Sequence, residues 1–332
     1  MFFLSSYSSW LPACCRLLLL LPALVLAADL SARSLVKADI QLANNAVLAM
    51  YQDEDANMWI GTYDGLHLYN GKNTFVFRME LDNEFSLCSN IVLEIAPAEK
   101  GYLWVTTSLG VNKFSLRERH VVESYMQYVD VENIASDSEG NTVLFSGEDF
   151  IACYRPQNAF FEDVHMPGVR AAEIVVVWSE TPREFCSLGR DGELVRYRLN
   201  DGEGKSLVRI SGRQLSARPV RKAFFKGDRL HFVDTSGGLW QYTSKDESLV
   251  LLSNLSQLGE TGYTASTVCS FGDEIYVGFL AGGLGRIPEK GGPCELIASD
   301  YRVFCLRADC NQDILWVGTD GYGAYMLSLI HI

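Results

Sequence analysis

Two stretches more than two hundred residues apart repeat one pattern. "NMWIGTYDGLHLYNGKN" (Asn57–Asn73) and "LWVGTDGYGAYM" (Leu315–Met326) each contain Trp, an aliphatic residue, Gly-Thr, a Gly-containing turn and a Tyr. A sequence period constrains the fold before any single residue does. Each unit is too small to bury its own apolar face and must stack on its neighbours.

Aligned on the residue that closes the short alternating run, the chain holds seven copies. They end at Tyr69, Phe114, Tyr154, Tyr197, Tyr242, Ile287 and Tyr325, with spacings between 38 and 45. Within a copy an alternating apolar stretch ("AVLAMY", "NIVLEIA", "STVCSF") precedes a polar turn ("QDEDAN", "AEKG", "SDSEGN"). A second strand follows ("MWIGT", "LWVTT", "LWVGT"), then a Gly-rich turn, a third strand and a loose fourth. Four short antiparallel strands account for the period, and no amphipathic helix of ordinary length can be found. The expected fold is all-β, a seven-bladed β-propeller of four-stranded antiparallel blades. The seventh copy stops after its third strand, and an open ring would leave exposed sheet edges. "ARSLVKADIQ" (Ala32–Gln41) lies where every other copy has a fourth strand. Closure by an N-terminal outer strand is therefore expected, with Ser34–Ile40 beside Gly323–Met326.

The ends of the chain read differently. Arg16, the apolar run Leu17–Leu26 and the small residues after it have the pattern of a secretory signal. Residues 1–27 are expected to be a signal peptide, and residues 29–326 the propeller. The last six residues, "LSLIHI", match a translated transposon-end adapter, so 327–332 are expected to be a non-native tail. Seven cysteines remain after residue 27, and no CxxC pair occurs among them. That is neither a disulfide framework nor a zinc site; no metal and no cofactor are expected. A net charge of −13 argues against nucleic acid as a partner.

Trp59, Trp104 and Trp316 occupy equivalent strand positions where other copies have Phe145, Phe185 or Tyr276. Large size is all these share, which points to structural core between blades rather than a stacking platform. Gly65, Gly110, Gly192, Gly238, Gly283 and Gly321 mark the turns where positive φ is needed. The acidic turns lack the regular oxygen spacing of a calcium loop and suit side-chain-to-backbone bonds instead. No Gly-x-Ser-x-Gly elbow, His-Glu-x-x-His or phosphate loop is present, so the chain as given is not expected to be an enzyme. The turns between second and third strands share one face of such a disc. They present Tyr63 and Asp64, Arg190 and Asp191, and Asp320 with Tyr322. Aromatic rings beside carboxylates and Arg suit a sugar, which offers C–H faces for stacking and hydroxyls for hydrogen bonds. These six are the candidate ligand-binding residues.

The "NMWIGTYDGLHLYN" and "CNQDILWVGTDGYGAYM" motifs resemble the two-component regulator propeller repeats of periplasmic sensors in hybrid two-component systems. The resemblance spans about residues 43–326 and is specific in the first, second and seventh copies. It implies an exported, periplasmic sensor propeller of an inner-membrane hybrid histidine kinase. It also implies an oligosaccharide or other small ligand, control of glycan-utilisation genes, and a second propeller and further β domain as intramolecular partners. A homodimer is implied for the whole protein. A free periplasmic interaction scaffold and a carbohydrate-active propeller enzyme are the two alternative readings.

Overall fold

The computed structural model describes residues 35–164, 166, 168–200, 207–258 and 264–328. Among these residues, twenty-eight strands form seven separate four-stranded antiparallel sheets, arranged as a ring. The innermost strands, in blade order, are Val47–Gln52, Val92–Pro97, Val131–Ser136, Ile174–Thr181, Val220–Lys226, Ala265–Phe271 and Val303–Ala308. Only two short 3-10 turns, Ala171–Glu173 and Leu255–Leu258, interrupt the β architecture among the described residues.

Every innermost strand carries a register shift immediately after its first paired residue. The skipped residues are Leu48, Leu93, Glu132, Val175, Arg221, Ser266 and Phe304. A β-bulge bends a strand and increases its twist. Such a bulge at the same height on every innermost strand suits strands that converge around an axis.

The apolar core is divided among the seven wedges between neighbouring blades, one cluster to each. Trp59 packs toward blade 2 against Phe114, Trp104 toward blade 3 against Tyr154, and Trp316 toward blade 1 against Tyr69. The three tryptophans are no more than 6% exposed. Their indole N–H groups are matched as well, because a buried donor without a partner is costly. Trp59 donates to Asp53 (2.8 Å), Trp316 to Asp309 (3.1 Å) and Trp104 to Thr142 (2.9 Å). The acidic turns thus serve the core. Asp53 also accepts the backbone N–H groups of Asp55 and Asn57.

The Gly-Thr of the repeat has two separate roles. A Cβ on Gly61 would sit 2.6 Å from Val92 of the next blade, and one on Gly318 would sit 2.6 Å from Val47. Glycine is therefore where adjacent blades approach most closely. The Thr62 and Thr319 hydroxyls donate to the turn carbonyls of Gly65 and Gly323. Five of the six expected turn glycines have positive φ, but in blade 5 that conformation falls on Gly237 and not Gly238.

The ring closes through the N-terminal strand. Leu35–Lys37 lies outermost in blade 7, paired as Leu35↔Leu327, Val36↔Met326 and Lys37↔Tyr325. The Ala38 N–H extends the pairing to the Ala324 carbonyl. Asp39 and Ile40 lie beyond the strand, and Ile40 packs into the wedge between blades 7 and 1. The third strand of blade 7 runs Ala324–Ser328, two residues past the boundary expected at Met326. Leu327 is fully buried in the wedge beside blade 6, and Ser328 ends the same strand. Residues 1–27, expected to be a signal peptide, Ser34 and residues 329–332 lie outside the described residues.

Candidate functional site

The six candidate residues stand on one face of the disc because each occupies a turn between second and third strands. These turns are Thr62–Gly65, Gly189–Glu193 and Thr319–Ala324. Backbone bonds fix them. The Gly65 N–H donates to Asn90, the Arg190 N–H to Glu173 and the Asp320 N–H to Arg302, each carbonyl lying on the connection between neighbouring blades.

The ring order separates the six into two groups. Tyr63 and Asp64 belong to blade 1, and Asp320 and Tyr322 to the adjoining blade 7. Arg190 and Asp191 belong to blade 4, three blades away from both. Tyr63 and Tyr322 are 46% and 52% exposed, leaving two aromatic faces open to solvent on neighbouring blades. Tyr322 is braced edge-on by Tyr301 at 5.5 Å. The carboxylates are already engaged. Asp64 takes two hydrogen bonds from Arg78 (3.0 and 2.9 Å), and Asp320 lies 3.5 Å from Arg302. Arg190 is exposed, with one long contact of 3.5 Å to the Ala172 carbonyl.

Asp191 opens onto a slot of about 380 Å³ between the blade 3–4 connection and blade 4. The Ser187 hydroxyl and the Tyr197 phenol lie in its wall, 3.1 Å apart and both buried. Burial raises the Tyr197 phenol above its ordinary pKa. Most charges at the mouth are paired: Arg209 with Glu193 at 2.5 Å, and Arg170 with Glu148 and Glu173. The lining carries two Arg against three carboxylates, one negative charge in sum, and is rich in hydrogen-bonding groups, which suits a polar ligand that is not an anion. Sequence reasoning found only Asp191 of this group. The others come from the blade 3–4 connection and from strand positions, where the repeat gives no sign that they converge.

Two charged positions inside the ring were also missed. Glu94 and Lys222 stand at equivalent positions on the innermost strands of blades 2 and 5, on opposite sides of the axis. Burial pushes the Glu94 carboxyl up to about 7, and the Lys222 ammonium opposes that rise. Lys113 is buried between blades 2 and 3. Burial alone would lower its pKa, but hydrogen bonds to Glu99 and to the Tyr154 phenol hold it above the ordinary lysine value.

Residues 41–64, which span the first two strands of blade 1, match the family model described as two component regulator propeller. Blade 1 carries a two-component regulator propeller repeat. No curated protein matches the chain. Among solved structures, one similar fold is an extracellular domain assigned to the hybrid two component system BT3049 of B. thetaiotaomicron. Identity is 17% and the TM-score 0.64, over 90% of this chain and 42% of that one. A second, assigned to the hybrid two component system BT4673 of the same organism, has 17% identity and a TM-score of 0.65 over 88% and 39%. This chain thus spans about two fifths of the length of those domains. The fold of U3-55K superposes equally well, with a TM-score of 0.64 at 10% identity over 90% of this chain and 99% of that one. At these identities the likeness is one of fold. The regulator repeat is the more discriminating of the two findings. Among the described residues no helix is long and apolar enough to cross a membrane.

Proposed function

We propose that this chain is the extracytoplasmic, ligand-sensing propeller of a hybrid two-component sensor histidine kinase. Its ligand is a carbohydrate, and its output is control of genes for glycan use. The observation that carries this reading is the regulator propeller repeat in blade 1 of a seven-bladed ring. The kinase, the periplasmic setting and the further propeller and β domain belong to the same proposal. Open Tyr63 and Tyr322 rings supply stacking faces, and Arg190 with Asp191 supplies hydrogen bonds across the disc. Since these groups lie three blades apart, an oligosaccharide crossing the mouth of the central channel fits them better than a single sugar. Calorimetry of the purified chain with an oligosaccharide panel tests the reading. One member should bind, and Tyr63→Ala, Arg190→Ala and Asp320→Ala combined should weaken it with little change in Tm. Unchanged affinity would place the site elsewhere, and hydrolysis of the panel would point to an enzyme instead.

A further inference from the structure

The connection from blade 1 to blade 2, residues 78–91, is the longest between any two blades of the ring. With the outermost strand of blade 2, His120–Tyr125, it forms an open groove of about 940 Å³. Five apolar side chains stand exposed in it: Met79 (42%), Leu81 (87%), Phe85 (52%), Val122 (37%) and Met126 (59%). Val122 is the skipped residue of a register shift in its strand. Scattered exposed apolar residues need no explanation, but a contiguous set along one groove marks a binding surface.

The groove is built rather than loose. The Val121 N–H donates to the Phe85 carbonyl, and the Met79 N–H to Asn90 Oδ1 at 2.8 Å. Ser86 and Asn83 tie the connection to Glu80. A groove held in shape before its partner arrives loses less entropy on binding.

Charge selects the partner. Glu80, Asp82, Glu84 and Glu123 line the groove, and no Lys, Arg or His does. The nearby cations lie in the adjoining pocket, which shares Glu80 and Phe85 with the groove, and each has its own partner, His120 also packing edge-on against Phe85 at 5.2 Å. Arg78 pairs with Asp64, the Arg119 guanidinium lies over the Phe75 ring, and His120 lies 3.2 Å from Glu118. A two-fold contact between copies through this groove would set carboxylates against carboxylates on a chain of net charge −13. An anionic lipid surface meets the same repulsion. We infer that the groove docks a cationic amphipathic protein segment, its apolar residues on Met79, Leu81, Phe85 and Met126 and its Lys or Arg residues against the four carboxylates. Methionines among the anchors let the surface adapt to different apolar side chains. The connection adjoins the Tyr63–Asp64 turn through Asn90 and Arg78, but none of the six residues assigned to ligand lines the groove, so the inference does not depend on what the sensor detects.

Fluorescence anisotropy of the purified chain with a short labelled peptide of alternating Leu and Lys is the test. Saturable one-to-one binding is expected, absent with a Leu/Glu peptide and with a Ser/Lys peptide. Leu81→Ser with Met126→Ser, and separately Glu80→Lys with Glu84→Lys and Glu123→Lys, should each weaken binding by about tenfold or more. Asp273→Lys with Asp313→Lys, on other parts of the surface, should cause much less loss. Circular dichroism melting checks that each variant is folded. Three results would overturn the inference: no binding, equal loss in the Asp273/Asp313 variant, or self-association of the chain abolished by Leu81→Ser.

Discussion

Leu35 faces Leu327 across the seam of the ring, and this pairing joins the two ends of the described chain. Leu327 is fully buried between blades 6 and 7, where Leu35 packs against the same cluster. The seam is thus an apolar contact as well as a strand pair.

Its loss should be felt by the whole ring. Leu327→Ala removes a fully buried side chain from a wedge with little room to collapse, at a cost of about 2–5 kcal/mol. Deleting Leu35–Lys37 uncovers the edge of blade 7 and should lower Tm further. Chemical denaturation reads both, and a Leu327→Ala variant as stable as the parent would show that the seam contributes little.

The turn carboxylates give a second prediction. Asp53→Ala leaves the Trp59 indole N–H buried without a partner and frees two backbone N–H groups, which should cost about 1–3 kcal/mol. Trp59→Phe removes the same donor along with ring volume. Asp53→Ala combined with Trp59→Phe should therefore fall short of the sum of the two single changes. Strict additivity in urea unfolding would refute the coupling.

These carboxylate–indole pairs explain why so much of the fold was legible in the sequence. Asp53 and Trp59, like Asp309 and Trp316, belong to one hairpin, so the pairing repeats wherever the hairpin does. The seven-fold period and the missing fourth strand of blade 7 gave the closure in the same way. What was not legible depends on contacts between blades. Glu99 and Lys113 pair within one blade, but their third partner, Tyr154, comes from the next. The slot beside Asp191 needs the blade 3–4 connection to fold back over blade 4. The shared face of Tyr63, Arg190 and Asp320 followed from strand order, whereas their separation around the ring depends on blade count. The burial of Leu327 likewise depends on a wedge made with blade 6.

The Lys113–Glu99 pair supplies a third prediction. Lys113→Met leaves Glu99 without its counter-charge and Tyr154 without its 2.6 Å partner. Breaking a buried pair costs roughly 3–5 kcal/mol, and partial water access to Glu99 places this one near the lower end. Glu99→Gln introduced together with Lys113→Met should recover most of the loss, because no lone charge then remains. If the double variant is no more stable than Lys113→Met, the pair is not the source of the effect.

The last prediction concerns the central channel. Glu94 is half-buried on an innermost strand, and burial raises its carboxyl from 4.5 to about 7 in the folded protein. Between those values the folded state holds a proton that the unfolded chain releases, so this group makes stability fall as pH rises through the interval. Its effect is absent below about 4.5 and fully present above about 7. His231 gives the opposite slope, since burial lowers its imidazole to about 4 and acid must charge it. The pH profile of the parent alone therefore does not isolate Glu94, but the difference between two profiles does. Glu94→Gln should match the parent in acid and exceed it by about 1–3 kcal/mol near pH 8. That range follows from about 1.4 kcal/mol per pKa unit, reduced by screening from water in the channel. Lys222 favours the charged carboxylate, so Lys222→Met should raise the Glu94 pKa further and shift the window upward. Thermal melts of the three proteins across this range are sufficient. Parallel profiles for Glu94→Gln and the parent would show that Glu94 titrates as an ordinary surface carboxylate.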